Sequence, residues 1–437
     1  MADLDTTVVA RETSSLRQIR ALIKTEETKE IVAFILTQFV SFFVFRAITQ
    51  IYPLYLQRTT TLTEKEVAIK WGLIVSAYTF GGIFTRVPMG ILIEKLGRKI
   101  ITVISYLLMI LATVGLAFST ATWYLALAFI LLRTSANSFG LGGRSLISDM
   151  ETKNKGLYNA LISTFARIGG LVGIVALGVI IEFLPPYVML LFPAVLALLG
   201  LVFFVLFFYE GSGERRYKLR KKEQIHGNKV SLTIKDFVTK SFLFFFLIFT
   251  TFGIAEGITG PVVSLYGKNI LNLSESHVGT IIGLAQVGYI ATSPFIGVII
   301  SKNQKYLFIL PTISVILWIG DYLLMFFLPL STSAFIAFLV VRNLIQAMFW
   351  TSALTILTTE LAKDKFALMY SILTTTFFAG ISIGSLFSGA IFAKDYRLTW
   401  LYSMWAAIAL FILLLGYFLI QQKHGGKKLD QSFLGFK

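Results

Sequence analysis

The 437-residue chain has no cysteine and only three histidines. Without cysteine it cannot form disulfides, thiolate nucleophiles or cysteine metal sites, and nothing follows about its redox compartment. His226, His277 and His424 fall in expected loops or in the tail, so they predict neither a zinc site nor a histidine proton relay within a span. We therefore expect no metal and no cofactor.

Motifs for ATP hydrolysis and for catalysis are also lacking. The segment nearest to a G-x-x-x-x-G-K-[ST] phosphate-binding loop, Val262 to Asn269, lacks the first glycine and ends in asparagine. No metal cluster and no pair of nucleophile and base occurs in the long apolar runs. The sequence therefore argues against an ATP-driven pump and against a membrane-embedded enzyme.

Charged residues make up only 14% of the chain, whereas hydrophobic residues make up 56% and the mean hydropathy is +0.78. This apolar content exceeds the 45–50% of an ordinary soluble domain. Twelve membrane spans of about 20 to 22 residues would take up roughly 250 residues. We predict an all-α integral membrane protein of about twelve transmembrane helices, arranged as two pseudo-symmetric six-helix bundles.

Long apolar runs give the predicted spans and the domain organisation. The first run follows a charged leader and lacks a small-residue cleavage site, so we interpret it as a retained helix. The predicted spans are 30–56, 69–93, 100–119, 122–143, 157–182, 187–209, 241–267, 277–301, 307–329, 332–354, 366–392 and 398–421. The predicted parts are a leader (1–29), an N-terminal bundle (30–209), a linker (210–240), a C-terminal bundle (241–421) and a tail (422–437).

The net charge of +16 raises the question of nucleic-acid binding, and the distribution of the charge answers it. Of the 39 Lys and Arg residues, 28 lie in the leader, the even-to-odd loops, the linker and the tail, and 6 lie in the alternate loops. This bias predicts a multi-pass protein of the cell membrane with both termini and the linker in the cytoplasm. We expect a bilayer as its environment and no nucleic-acid partner. The linker charges either contact anionic lipid or form a solvated run.

The two halves of the sequence repeat. Leu62-Thr63-Glu64, Val67 and Gly72-Leu73 recur 211 positions later, as Leu273-Ser274-Glu275, Val278 and Gly283-Leu284. Gly169, Gly173 and Gly178 recur at the same offset as Gly380, Gly384 and Gly389, and Arg133 recurs as Arg342 at an offset of 209. Ordered matches of this kind indicate an internal structural repeat, as in many secondary transporters.

The loop from Gly90 to Lys99, between the second and third spans, contains Gly, three residues, Glu, a base, one residue, Gly and two bases. It resembles the signature loop of the major facilitator superfamily, with Glu94 where Asp is more usual. The helix count, the long central loop and the repeat extend the resemblance over nearly the whole chain. It implies a secondary transporter, a symporter or antiporter, that moves a small solute by alternating access.

The resemblance also implies a conformational latch. Glu94 would dock on the start of the eleventh span, and Arg98 would pair with Asp149 at the end of the fourth. The alternative is a charged turn that only fixes topology. The latch residues would be Gly90, Glu94, Lys95, Gly97, Arg98, Lys99 and Asp149.

Two positions depart from the family pattern. Asn137 stands four residues after Arg133, where the family usually has glycine. Ile174, and not proline, follows Gly173 in the fifth span, which lowers the support for antiport.

Arginines inside spans are the candidate binding residues, because a charge at the bilayer centre is costly unless it is paired or hydrated. Arg46, Arg133 and Arg342 lie near the middle of spans one, four and ten, which the resemblance places around a central cavity. We predict that they bind a carboxylate- or phosphate-bearing solute and that Glu256 in span seven carries a coupling proton. Alternatively, the arginines only hold the bundle together, and Glu256 pairs permanently with Arg46.

Other polar residues in the spans receive structural interpretations. Arg86 and Arg167 are expected to act in packing or gating, and Asp321 in span nine as a pairing residue. Gly169-x-x-x-Gly173 and its repeat predict tight helix packing or a sliding surface between the halves. Tyr52-Pro53 and Gly260-Pro261 are candidate bending points for an outer gate or ordinary proline kinks.

These features favour a transporter of a small organic anion, which we expect to be a monomer, with a proton as the candidate coupling ion. The alternative is a broad-specificity drug efflux transporter, followed by a channel. A cationic drug would need cavity acids, and Glu256 is the one obvious candidate. The sequence leaves the substrate, its direction and the coupling ion open.

Overall fold

The computed structural model describes residues 26–118, 120–149, 155–208, 240–302, 306–360 and 366–423, and this part of the chain is helical with short connections. Twelve of its helices are long and apolar enough to cross a membrane, which confirms the predicted number. They are α1 (Glu26–Thr59), α2 (Glu64–Leu96), α3 (Arg98–Gly115), α4 (Thr122–Asp149), α5 (Lys155–Phe183), α6 (Val188–Phe207), α7 (Lys240–Thr259), α8 (Glu275–Lys302), α9 (Tyr306–Phe327), α10 (Thr332–Glu360), α11 (Phe366–Lys394) and α12 (Tyr396–Lys423).

The outer surface of the helix bundle is strongly apolar. Large side chains such as Phe84, Leu111 and Leu206 are more than 60% exposed. A bilayer covers such a surface, whereas water would penalise apolar patches of this size. The described helices therefore form a multi-pass membrane protein.

Local sequence explains how α2 begins and ends. A capping box begins the helix, because the Thr63 hydroxyl accepts a hydrogen bond from the Glu66 N–H (3.3 Å) and the Glu66 carboxylate accepts one from the Thr63 N–H (2.8 Å). At the other end, Gly97 has a φ of 92° and separates α2 from α3. Residues with a Cβ rarely adopt this conformation, so the second glycine of the signature loop is needed for the turn.

The two halves have matching internal packing. A Cβ added at Gly169 would lie 2.1 Å from the carbonyl oxygen of Phe39 in α1, and one at Gly380 would lie 2.0 Å from that of Thr250 in α7. The glycine motifs thus pack α5 on α1 and α11 on α7 within each bundle. The prediction of tight packing is confirmed, and a sliding surface between the halves is not what these motifs form.

The contacts between the halves are also related by the repeat. α5 packs on α8, where a Cβ at Gly178 would lie 2.9 Å from the Cα atom of Gly279. α11 packs on α2, where a Cβ at Gly389 would lie 2.1 Å from the carbonyl oxygen of Ala68. The two contacts are related by the repeat offset of 211 positions: Gly178 corresponds to Gly389, and Ala68 corresponds to Gly279. The sequence repeat therefore corresponds to a two-fold-related interface.

We call the end of the bundle where α6 ends and α7 begins the linker face, and the opposite end the far face. At the far face the halves are joined by polar contacts. The Gln57 amide donates to Asn269 (3.0 Å), and the Glu182 carboxylate accepts from the backbone N–H of Ser276 in the first turn of α8 (2.7 Å). The far face is therefore held closed in this conformation.

The seventh span changes its helical form at Gly260-Pro261. A 3₁₀ turn (Gly260–Val262), a helical turn (Val263–Leu265) and a π turn (Tyr266–Ile270) follow α7. Pro261 has no N–H to donate to Gly257 four residues earlier. The Ser385 hydroxyl donates to that free carbonyl oxygen instead, at 3.2 Å. In contrast, α1 continues through Pro53 to Thr59.

Candidate functional site

A cavity of about 330 Å³ lies between the two halves, and residues of α1, α2, α4, α5, α7, α8, α10 and α11 line it. Among its described lining residues, six are arginines and one is a carboxylate, Glu256. The arginines are Arg46, Arg86, Arg133, Arg144, Arg167 and Arg342. The structure thus brings Arg46, Arg133, Arg342 and Glu256, which the sequence singled out, into one site.

Glu256 is held by donors on α10. Arg342 donates to it through Nε, at 3.4 Å, and through Nη2, while the Gln346 amide donates at 2.8 Å. Both carboxylate oxygens therefore have partners, and all of these partners are donors. The ion pair of Glu256 is formed with Arg342 and not with Arg46, so the alternative pairing considered from the sequence is wrong.

A chain of hydrogen bonds connects the two halves across the cavity. Arg167 on α5 donates to Gln286 on α8 (2.9 Å) and to Gln346 on α10 (3.4 Å). Gln346 in turn donates to Glu256, so one amide receives a bond from the N-terminal half and gives one within the C-terminal half. The guanidinium group of Arg167 also lies 3.9 Å from the ring centre of Tyr289. Arg167 thus has a bridging position between the halves.

Arg133 is held between two aromatic rings. Its guanidinium carbon lies 4.9 Å from the ring centre of Phe45 on α1 and 4.1 Å from that of Phe378 on α11. Within the described part of the chain, its buried Nε has no hydrogen-bond partner. Cation–π contacts with the two rings therefore hold the Arg133 guanidinium group in the cavity wall. Gly82 on α2 provides the space, because a Cβ there would lie 2.8 Å from the Arg133 side chain.

Arg46 also has no carboxylate partner among the described residues. It lies close enough to Arg167, Arg133 and Arg342 to be repelled by them, and to Glu256 to be attracted. No hydrogen bond, ion pair or ring contact holds its guanidinium group within the described residues. Arg46 and Arg133 are therefore the cavity cations that are most available to an anion.

Arg144 is a cavity residue that lies just beyond the predicted fourth span. The fourth span was predicted to end at 143, but α4 continues to Asp149. Arg133, Asn137, Gly140 and Arg144 all line the cavity. Their spacing of four, three and four residues is that of one helix face, and this signal was available in the sequence. The uncharged Gln286 and Gln346 carried no comparable signal.

Asp321 lies on α9, outside the cavity lining, and interacts electrostatically with Arg342. It is 5% exposed, and its Oδ2 atom has no hydrogen-bond partner among the described residues. The salt bridges found in this part of the structure are Lys268 with Glu275 and Arg342 with Glu256, so Asp321 is not a salt-bridged residue there.

The predicted latch is partly described. Arg98 is buried and donates to the hydroxyl of Ser145 (3.0 Å) and to its carbonyl oxygen (3.3 Å), one turn before Asp149. Lys95 and Lys99 are exposed. The side chains of Glu94 and Asp149 lie outside the described residues, so their contacts stay predictions.

Gly90, the first residue of the latch motif, has free space around it. No described atom lies within 4 Å of the position that a Cβ would occupy there. A Cβ at Gly90 would therefore meet no described atom, whereas polar contacts join the halves at the far face. Among the described residues, no group of three His, Asp or Glu side chains is arranged to hold a metal ion.

Comparisons with known proteins agree with this architecture. A family model described as the Major Facilitator Superfamily matches residues 34–319 and 245–433. No curated protein matches the chain by sequence.

Solved structures of transporters share the fold. The nucleoside transporter NupG has a TM-score of 0.69 and 14% identity, covering 89% of this chain and 98% of its own. The human organic anion transporter MFSD10 (TETRAN) has a TM-score of 0.67 and 12% identity, covering 90% and 100%. The xylose transporter XylE from E. coli has a TM-score of 0.69 and 13% identity, covering 90% and 97%. The family model spans most of the sequence, and twelve of the described helices are long and apolar enough to cross a membrane. The chain therefore belongs to the Major Facilitator Superfamily and is a multi-pass membrane transporter of small solutes, not an enzyme.

Proposed function

We propose that this chain moves a small organic anion across the cell membrane by alternating access, with a proton as the coupling ion. The observation that carries the proposal is the charge of the cavity. Among the described lining residues, six are arginines and one is a carboxylate, which Arg342 neutralises, while Arg46 and Arg133 have no carboxylate partner among those residues. Positive charge in a water-accessible cavity attracts anions, and a guanidinium group binds carboxylate or phosphate through two parallel hydrogen bonds.

The cavity wall also suits the carbon skeleton of an organic anion. Trp71 and Tyr78 on α2, Trp350 on α10 and Phe377 on α11 line it beside the arginines. Aromatic side chains bury apolar ligand surface, while a few placed charges fix its orientation. We expect an anionic group at Arg46 and Arg133 and an apolar part against these rings.

Drug efflux remains the alternative function within the superfamily. A cationic drug needs an acidic cavity group, and Glu256 is engaged by Arg342 and Gln346. The fold does not choose between substrates, because its relatives carry nucleosides, xylose and organic anions. The excess of arginine in this cavity favours the anion. A channel would show neither saturation nor counterflow.

The closed far face and the free space around Gly90 suit one end state of an alternating-access cycle. Following the positive-inside rule, we propose that the linker face is cytoplasmic, with both termini on that side of the plasma membrane. Glu94 and Arg98 would then latch the cytoplasmic side in the opposite state. We expect a monomer to be sufficient, because the cavity lies within one chain.

Glu256 is our proposed coupling residue at the cavity surface. An anion that reaches Arg342 competes with Glu256 for the same guanidinium group. A carboxylate that loses its cationic partner becomes easier to protonate. Anion binding and proton binding would thereby favour each other. The change Glu256→Gln should abolish proton-driven accumulation and retain solute exchange.

Binding measurements on the purified transporter test the proposed substrate class. Thermal-shift screening would compare anionic metabolites, their neutral analogues and cationic dyes. The change Arg133→Gln should weaken binding of an anionic ligand by about 10- to 100-fold, the equivalent of one charge-assisted hydrogen-bonded contact, and of a neutral analogue far less. Arg342→Gln should act in the same direction, although it also leaves Glu256 without its partner.

Arg397→Gln is the matched control. Arg397 is exposed in the first turn of α12, at the far face, so this substitution should leave anion binding unchanged. Equal losses for anionic and neutral ligands in Arg133→Gln would indicate a collapsed cavity. Stabilisation of the wild-type protein by cationic dyes alone would support drug efflux in place of anion transport.

A further inference from the structure

Asp321 is the buried acidic residue that the proposed function leaves without a role. It is 5% exposed, it makes no hydrogen bond or ion pair among the described residues, and its Oδ2 atom is fully enclosed. An ionised carboxylate in such a place carries a large desolvation cost, whereas a protonated carboxyl does not. The position is therefore unusual for a residue that serves only to hold helices together.

The charged surroundings of Asp321 are few. Arg342 on α10 interacts with it electrostatically, and Tyr322 on α9 is the nearest titratable side chain of its own helix. Glu256 on α7 is the salt-bridge partner of Arg342. The part of α12 from Thr399 to Leu410, which packs along α9, has no Asp, Glu, Lys, Arg or His. The charged residues and the histidine of α8, the remaining neighbour, lie at its two ends: Glu275, His277 and Lys302.

Arg342 thus interacts with two carboxylates, Glu256 and Asp321. Arg46 and Arg167 also attract Glu256, whereas Arg342 is the cation that attracts Asp321. A buried carboxylate with fewer cations and donors near it is the easier one to protonate. Glu256 accepts three hydrogen bonds, from Arg342 and Gln346, and these bonds stabilise its ionised form. Asp321 accepts none among the described residues, so the proton is better placed on Asp321.

We propose that Asp321 is a proton-binding site of the transporter and that its protonation controls the availability of Arg342 to the anion. With the proton bound, Arg342 has one carboxylate to satisfy and can exchange it for a substrate. When the proton leaves for water, ionised Asp321 becomes a second acceptor for Arg342 and competes with the substrate. Anion affinity should then rise as the pH falls, by up to about tenfold per pH unit, the limit for one linked proton. The link to anion affinity rests on the proposed function, whereas the proton on Asp321 does not.

Infrared spectroscopy of the purified protein locates the proton without a substrate. A protonated carboxyl group absorbs separately from a carboxylate, and ¹³C labelling of aspartate shifts aspartic bands but not glutamic ones. We expect a protonated aspartic band that disappears as the pH is raised, that is absent in Asp321→Asn, and that persists in the matched control Asp395→Asn. Asp395 is exposed at the far face. The labelled wild-type protein gives this answer even if Asp321→Asn fails to fold.

Anion binding provides the second readout. The affinity of the wild-type protein and of Asp395→Asn should rise as the pH falls, and that of Asp321→Asn should rise less steeply, because the proton linked to Asp321 is lost while the one proposed for Glu256 remains. A protonated band that does not respond to aspartate labelling would place the proton on a glutamate and overturn the inference. The lack of any such band, or an unchanged pH dependence in Asp321→Asn, would overturn it as well. If no anion binds at any pH, the proposed substrate class fails, while the labelled band still decides the role of Asp321.

Discussion

The buried ion pair between Glu256 and Arg342 makes a quantitative prediction. Both side chains are about 10% exposed or less, and each is the other's salt-bridge partner. Removing one partner of a buried pair leaves an uncompensated charge and costs about 3–5 kcal/mol in stability. Removing both leaves neutral amides, which cost much less. We therefore expect Glu256→Gln and Arg342→Gln each to destabilise the protein by about 3 kcal/mol, and the double variant by clearly less than the sum.

The assay is a double-mutant cycle by reversible unfolding in detergent or bicelles. The matched control is the pair of Lys268 and Glu275 at the far face, whose nitrogen and oxygen lie 2.8 Å apart but whose side chains are 32% and 18% exposed. Solvent weakens such a pair, and its coupling energy should be about 0.2–1 kcal/mol. The coupling energy of the buried pair, Glu256 and Arg342, should be at least about twice that of the control pair.

The pH dependence of the same variants has a defined sign. In Arg342→Gln the unpaired Glu256 is costly only while it is ionised. Lowering the pH should therefore reduce the destabilisation of Arg342→Gln relative to the wild-type protein. Equal coupling energies in the buried and control pairs would refute this account of the pair. A destabilisation of Arg342→Gln that grows as the pH falls would do the same.

Three further predictions follow from other parts of the chain. A single cysteine at position 220 should react with a membrane-impermeant reagent only in inside-out vesicles; labelling of intact cells would reverse the proposed topology. Glu94→Ala or Arg98→Ala should lower the transport rate and leave solute affinity nearly unchanged, because a latch acts on the conformational equilibrium; normal rates in both would reduce the loop to a topology signal. Gly389→Val should prevent closure of the far face and abolish transport, because its Cβ would lie 2.1 Å from a backbone oxygen, whereas Gly90→Ala should be tolerated in this conformation; equal transport in the two variants would contradict the packing.

Much of the architecture was predictable because membrane helices have a strong sequence signal. The number of spans followed from hydropathy, and the two-fold relation of the halves followed from glycines that recur 211 positions apart. These features depend on length, composition and order along the chain. They need no knowledge of which helices are neighbours.

The partners within the site were less predictable. Sequence gives the depth of a residue in a span, and Arg46 and Arg342 have similar depth relative to Glu256. Which of the two forms the ion pair depends on how α7 is rotated towards α10, and tertiary packing sets that rotation. Arg144 was misplaced for a different reason. The charged residues at the end of α4 lower the hydropathy that marks a span, although the helix continues beyond it.

The glycine contacts between the halves also set a mechanical scale. Gly178 lies close to the far end of α5, and 23 residues separate it from Lys155 at the start of the helix. At 1.5 Å per residue this lever is about 35 Å long, so a rotation of roughly 10° about the glycine contact would move its other end by about 6 Å. Since the repeat places an equivalent contact at Gly389, the two contacts define a hinge line. A side chain added at a glycine of this hinge line would block the rotation of the helices. The same substitution at the end of the helix that moves would shift with the helix and leave the rotation possible.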